Sequence, residues 1–209
     1  MNATTPKKRN NTKSSSTRMS IIKTAEELVT QNGISALTLD AIATECGITV
    51  QTIYNRVGGR SAILIAIAEK ALEENRLYMR DAYSHSGTAR ERLLAATEGY
   101  LRFATEKPHA FRLMANPPED PQALKRITEL VQKHNGQLEQ VIRDGISAGD
   151  IDNRFDPAKV ATALWATANG LLALLWRADR QAMTGDDLQI VMNTGIKIVM
   201  DGLFKPSAN

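Results

Sequence analysis

Between Thr38 and Tyr54 two short helical patterns flank a single glycine, Thr38-Leu-Asp-Ala-Ile-Ala-Thr-Glu-Cys-Gly47 and then Ile48-Thr-Val-Gln-Thr-Ile-Tyr54. Leu39, Ile42 and Ala43 share one face of a helix opened by Thr38. A threonine hydroxyl there accepts one of the orphan N–H groups, and Asp40 in the first turn suits the positive helix end. Gly47 breaks the pattern where a sharp turn needs a residue that tolerates positive φ, and small Ala43 leaves room for a second helix to approach. Thr49 is the next N-cap, and a helix over about Val50 to Val57 buries Ile53. Val50, Gln51, Thr52, Tyr54 and Asn55 then face outward. This is the pattern of a helix-turn-helix whose second helix enters a DNA groove. Gln pairs with adenine edges, Thr or Val touches a thymine methyl, and Tyr, Thr and Asn hold phosphates.

Charge placement agrees. Residues 1–60 carry eight Lys or Arg against four Asp or Glu, whereas the other 149 residues carry 18 against 19. The basic excess behind the net charge of +3 therefore lies in the segment that would meet a polyanion. Met1 to Thr17 mixes Lys7, Lys8, Arg9 and Lys13 with Asn, Ser and Thr and has no apolar stretch. It reads as a disordered basic arm beside the DNA-binding motif and not as a secretory leader.

No run of alternating β-branched residues appears in the 209-residue chain, and Pro and Gly fall mostly between periodic segments, so the predicted class is all-α. A first helix is expected over about Met19–Gln31, with Ile21, Ile22, Ala25, Leu28 and Val29 as its apolar stripe. Beyond the helix-turn-helix, Ser61 caps a long helix over about Ala62–Tyr83. Thr88 and Glu91 form a capping box for a helix to about Glu106. A short helix runs from Pro108 to Ala115. Asp120-Pro121 and Asp156-Pro157 each place a capping carboxylate before a proline at the first helical position, starting helices to Ala148 and about Arg180. The last helix opens near Thr184 and ends near Phe204. That gives nine helices: three in a DNA-binding domain, and roughly six in a second domain for ligand binding and dimerisation. The domain boundaries are 1–17 for the arm, 18–65 for the helix-turn-helix domain and 66–209 for the remainder.

The segments Gly33-Ile-Ser-Ala-Leu-Thr-Leu-Asp-Ala-Ile-Ala43 and Gly47-Ile-Thr-Val-Gln-Thr-Ile-Tyr54 resemble the tetracycline-repressor (TetR) family, over about residues 19–65. The resemblance implies phosphate contacts at Thr38 and Tyr54 and base reading by outward residues of the third helix, here Gln51 and Thr52. With the capping and flanking residues, the expected DNA-binding set is Thr38, Thr49, Val50, Gln51, Thr52, Tyr54, Asn55 and Arg60. The chain departs from the family pattern at Arg56 and Val57, where an aromatic or His is usual, and at Arg60-Ser61, where a Lys-Glu pair is usual. Further on, Tyr100 to Met114 and Trp165-Ala-Thr-Ala-Asn-Gly170 resemble a ligand-domain subgroup marked by Trp, His and Gly. Asn169 stands here at the His position.

The second domain concentrates aromatic and polar residues in a few stretches, as ligand pockets do. The candidate effector residues are Phe103, His109, Phe111, Arg112, Met114, His134, Trp165 and Asn169. The last helix carries Leu188, Val191, Met192, Gly195, Ile198, Val199 and Leu203 on one face, too apolar for water alone. With the preceding helix it suggests a dimer interface built from Leu171, Leu175, Val191, Gly195, Ile198 and Val199, Gly195 letting the backbones approach. A dimer also suits a palindromic site, since two recognition helices about 34 Å apart enter successive major grooves.

The uncharged run Val160–Trp176 is short of the roughly 20 residues that span a membrane, so a buried helix is expected. The single cysteine, Cys46, is a small hydrophobe of the motif in a chain compatible with a reducing cytoplasm. The three histidines are scattered, and neither a metal-ligand cluster nor a phosphate loop is visible. No cofactor and no catalysis are therefore expected. The sequence predicts a cytoplasmic homodimeric repressor that binds double-stranded DNA and is released by a largely apolar small molecule. The alternative is a constitutive architectural DNA-binding protein with no effector.

Overall fold

The computed structural model describes residues 8–84, 86–117, 119–174 and 185–205. These form nine α-helices: α1 Lys8–Asn32, α2 Leu39–Cys46, α3 Val50–Arg56, α4 Arg60–Ser84, α5 Ala89–Glu106, α6 Pro108–Ala115, α7 Pro121–Ala148, α8 Pro157–Ala173 and α9 Gly185–Leu203. A single 3-10 turn, Ile34–Ala36, joins α1 to α2. Among the described residues no strand forms, and one isolated backbone bridge pairs Ile151 with Phe204.

The helix boundaries follow from local chemistry. Thr38 Oγ1 accepts the Ala41 N–H at 3.1 Å, and Thr49 Oγ1 accepts the Thr52 N–H at 3.2 Å. Between them Gly47 sits at φ 62°, left-handed, while the Ile48 N–H reaches back to the Ala43 carbonyl at 3.0 Å and closes α2. The Thr88–Glu91 capping box is complete in both directions. Asp156 caps α8 through the Lys159 N–H at 3.0 Å.

Two sequence expectations need correction. Helix α1 begins at Lys8 and not near Met19, so Lys8 to Thr17 is helical and not a disordered arm; residues 1–7 lie outside the described residues. No proline or glycine interrupts 8–32, and Arg56 Nη1 donates to Ser14 Oγ at 2.9 Å, a tertiary contact that apolar periodicity cannot reveal. Second, α4 starts at Arg60, which places Ser61 inside the helix. Its hydroxyl donates to Asp120 Oδ2 at 2.9 Å and is no cap.

The chain packs as two compact units. The first takes residues 1–72 and 109–130, the second 73–108 and 131–209. These packing units differ from the linear division at residue 65, because α4 and α7 each contribute to both and α6 belongs with the first. In the first unit Ile21, Ala25, Leu37, Ile42, Ile53, Ile63 and Leu64 are withdrawn from solvent. In the second, Ala89, Leu93, Val141, Ile142, Ile151, Met200, Leu203 and Phe204 form one apolar cluster.

Two glycines inside helices show how packing overrides propensity. A Cβ on Gly99 of α5 would lie 2.8 Å from the Tyr78 backbone carbonyl of α4, which cannot swing aside. A Cβ on Gly136 of α7 would meet nothing within 4 Å. Urea unfolding at fixed protein concentration should therefore separate two formally identical changes. Gly136→Ala is expected to stabilise by about 0.5–1 kcal/mol, the ordinary helix preference. Gly99→Ala is expected to destabilise by roughly 1–2 kcal/mol, because overpacking against backbone outweighs that preference.

Candidate functional site

Helix α3 is short, capped by Thr49 and anchored by the fully buried Ile53. That anchor fixes which side chains point outward. Gln51, Tyr54 and Asn55 are exposed, Thr52 and Val50 are half-buried, and Tyr54 keeps 52% of its surface in solvent. Gln51 Nε2 donates to Asn55 Oδ1 at 3.1 Å, and the Thr49 and Thr52 hydroxyls meet at 2.9 Å. The polar row is therefore held together one helical turn apart before any partner arrives. Thr38, also exposed, caps α2 and presents its hydroxyl beside the same motif. Gly59 lies under the Tyr54 ring, where a Cβ would come within 3.2 Å of Cε1.

Arg60, a member of the expected DNA-binding set, is also engaged within the chain. Its Nε donates to the Leu37 carbonyl at 3.0 Å, and its Nη1 lies 4.0 Å from Asp120 Oδ2. Asp120 is the N-cap of α7, accepting the Ala123 N–H at 3.0 Å. One carboxylate thus joins the start of α7 to the start of α4, and Arg60 extends the link to the segment before α2. The Ala123 N–H first, then the Ser61 hydroxyl, and also the Arg60 charge, hold the Asp120 carboxyl below the ordinary aspartate range.

The candidate effector residues fall into two groups. Phe103, His134, Trp165 and Asn169 belong to the second unit, whereas His109, Phe111, Arg112 and Met114 belong to the first. Phe111 and Met114 are buried, His109 is half-buried and Arg112 is exposed. In the second unit Phe103 is fully buried and meets the Tyr78 ring edge-on at 5.5 Å between centroids. Tyr100 donates its hydroxyl to Asn169 Oδ1 at 2.8 Å, also bonds Trp165, and is pushed well above the usual tyrosine range by burial. Asn169 is thus already engaged across α5 and α8. His134 Nε2 lies 2.6 Å from Asn75 Oδ1, and burial pushes the imidazole below the ordinary histidine value.

Sequence reasoning missed Asn75, whose side chain is fully buried and whose Nδ2 has no hydrogen-bond partner among the described residues. The signal was there. Ala68, Ala71, Leu72, Asn75, Met79 and Ala82 recur at helical spacing along the buried side of α4, and Asn75 is the polar member of that stripe.

The α9 stripe read from the sequence splits in two. Met192 and Leu203 are buried within the chain, while Ile190 and Ile198 keep 62% and 67% of their surface exposed. Val191 and Val199 are half-buried. Gly195, expected to face a second copy, receives Leu171 of α8: a Cβ there would lie 2.8 Å from Leu171 Cδ1. The backbones it brings together are those of α8 and α9 in one chain. Leu175 lies outside the described residues.

Among the described residues no group of His, Cys, Asp or Glu is arranged to hold a metal ion, and no helix is long and apolar enough to cross a membrane. Cys46 Sγ donates to Thr24 Oγ1 at 3.3 Å, which ties α2 to α1.

Comparison with known proteins matches residues 21–67 to the profile of bacterial regulatory proteins of the tetR family, and residues 93–193 to the tetracyclin repressor-like C-terminal domain. The two profiles together span most of the chain. The chain is 21% identical over 187 residues to the fatty acid metabolism regulator protein of Bacillus subtilis (strain 168), covering 88% of this chain and 94% of that protein. Its fold is similar to that of FadR from Bacillus subtilis in complex with stearoyl-CoA, at TM-score 0.71 and 20% identity, over 88% of this chain and 98% of the other. It is also similar to a protein of unknown function from Rhodococcus sp. RHA1, at TM-score 0.75 and 22% identity, over 90% and 96% of the two chains.

The Asp120 link has a defined pH signature. Because its folded pKa is depressed, its contribution is complete above the unfolded value of about 4 and disappears as pH falls through the lower folded value. Asp120→Asn is therefore expected to be about 1 kcal/mol less stable than the parent at pH 7, with the difference shrinking as pH falls below the ordinary aspartate range. Urea unfolding of both proteins between pH 7 and pH 3 measures this directly.

Proposed function

The chain belongs to the TetR family of bacterial regulatory proteins, and from that membership we propose that it is a homodimeric repressor, bound to a palindromic operator and released by a largely apolar small molecule. The observation that carries the reading is the exposed polar row of α3 on a helix fixed at its start by Thr49 and along its length by Ile53. Gln51 and Thr52 read base edges, with Val50 against a thymine methyl. Thr38, Thr49, Tyr54 and Asn55 hold phosphates, and Arg60 supports them from its bond to the Leu37 carbonyl.

Dimerisation is assigned to the outward side of α8 and α9. Ile190 and Ile198 are large apolar residues in solvent, and neighbouring Val191 and Val199 are only half covered. Leu171 and Gly195 contribute by holding the two helices close within each copy.

The effector is placed in the second unit, among Phe103, His134, Trp165 and Asn169. A long-chain acyl thioester is the first class to test, because a relative over most of the chain regulates fatty acid metabolism and a similar fold holds stearoyl-CoA. Helix α4 passes from the unit that holds α3 to the unit that holds Phe103, so a ligand that shifts α4 shifts the foundation of α3. Moving the population from mostly bound to mostly released needs only a few kcal/mol of differential affinity.

The test is to select bound DNA from a random pool and titrate it with the full chain, with and without stearoyl-CoA. Specific binding to a palindrome, lost on adding the thioester, is expected; binding without sequence preference contradicts the proposal. Gln51→Ala is expected to cost about 1–3 kcal/mol on the selected site while leaving binding to random DNA nearly unchanged. Ile198→Glu is expected to yield monomers by analytical ultracentrifugation and to weaken operator binding with them.

A further inference from the structure

We propose that the buried pair formed by Asn75 of α4 and His134 of α7 is the polar anchor of the effector site, and that it receives the uncharged carbonyl oxygen at the end of a ligand's apolar acyl chain. The inference rests on the effector-released reading above and deepens it.

A carboxamide offers two N–H donors and one acceptor oxygen. Asn75 is fully buried, its Oδ1 meets His134 Nε2 at 2.6 Å, and its Nδ2 has no hydrogen-bond partner among the described residues. Turning the amide over does not cure this. The amide nitrogen would then face the imidazole and the oxygen would be orphaned instead, since the same single neighbour serves either end. A buried polar group without a partner costs about as much as a lost hydrogen bond, so replacing it with an apolar residue would be the simpler solution for a helix that only had to pack. The amide is what a site requires that must offer one donor to something arriving from outside.

The surroundings select the chemistry of the arriving group. Burial first and the Arg76 charge second disfavour the charged form of His134, and Arg76 is paired with Glu73 at 2.6 Å on the surface. A carboxylate would enter without a counter-charge, whereas a carbonyl needs only the one donor that Nδ2 supplies. Asn75 also lies one turn before Tyr78, whose ring packs on the buried Phe103, and Met79 is buried alongside. An acyl chain ending in a thioester matches that mixture of apolar wall and single donor.

The decisive experiment compares stearoyl-CoA with S-octadecyl-CoA, the thioether that lacks the carbonyl oxygen, by calorimetric titration of the full-length protein. The parent is expected to bind the thioester at least tenfold more tightly. In Asn75→Ala that preference is expected to fall to near unity. A second variant, Asn75→Ala with His134→Leu, guards against unfolding caused by leaving the imidazole unpaired. It is expected to melt no lower than the parent while showing the same loss of preference. Equal binding of both compounds by the parent, binding of neither, or a preference that survives in either variant overturns the inference. Operator release in the same preparations separates the two readings: release by the thioester with no effect of the Asn75 changes leaves the repressor reading standing and removes only this anchor.

Discussion

The carboxylate of Asp120 is the point on which the first unit is organised. It satisfies an orphan N–H at the start of α7, accepts the Ser61 hydroxyl of α4, and faces the Arg60 guanidinium, which in turn holds the carbonyl of Leu37 just before α2. Three segments distant in sequence thus share one charge. Each bond alone is worth about 1 kcal/mol, but they act on a helix start, where geometry is otherwise free to fray. The DNA-facing motif is therefore built against helices that continue into the second unit, and it does not stand as an isolated three-helix module.

The same two helices carry the polar pair of the second unit. Asn75 lies on α4 beyond Ser61, and His134 lies on α7 beyond Asp120. In the proposed control, α4 and α7 are the helices along which a change at Asn75 and His134 would be passed on, since each has residues in both units. Packed helices respond to such a change by shifting between discrete arrangements and not by bending continuously. This gives the proposed control a physical carrier.

Much of this was readable from local sequence. Thr38, Gly47 and Thr49 announce their caps and turn, the capping box at Thr88 fixes the start of α5, and the two Asp-Pro pairs fix the starts of α7 and α8. Such signals are legible because each involves groups within a few residues of one another. What escaped was tertiary. Ser61 looked like a cap because its partner, Asp120, is far along the chain. Gly195 looked like a contact for a second copy because nothing in α9 reveals that Leu171 fills the space above it. The early start of α1 depends in part on Arg56, and Asn75 acquires meaning only once His134 stands opposite. The outward row of α3 was foreseeable from the position of Ile53, since one buried side chain in so short a helix determines the direction of all the others.

The central claim is that DNA binding by α3 and effector binding in the second unit are one coupled equilibrium. Linkage makes the coupling reciprocal: the factor by which effector weakens operator binding must equal the factor by which operator weakens effector binding. The most direct measurement is the affinity of the full-length protein for stearoyl-CoA, alone and saturated with its selected operator. Operator is expected to lower that affinity by the same factor, of order tenfold or more, by which stearoyl-CoA lowers operator affinity. An acyl-CoA affinity unchanged by saturating operator would contradict the coupling.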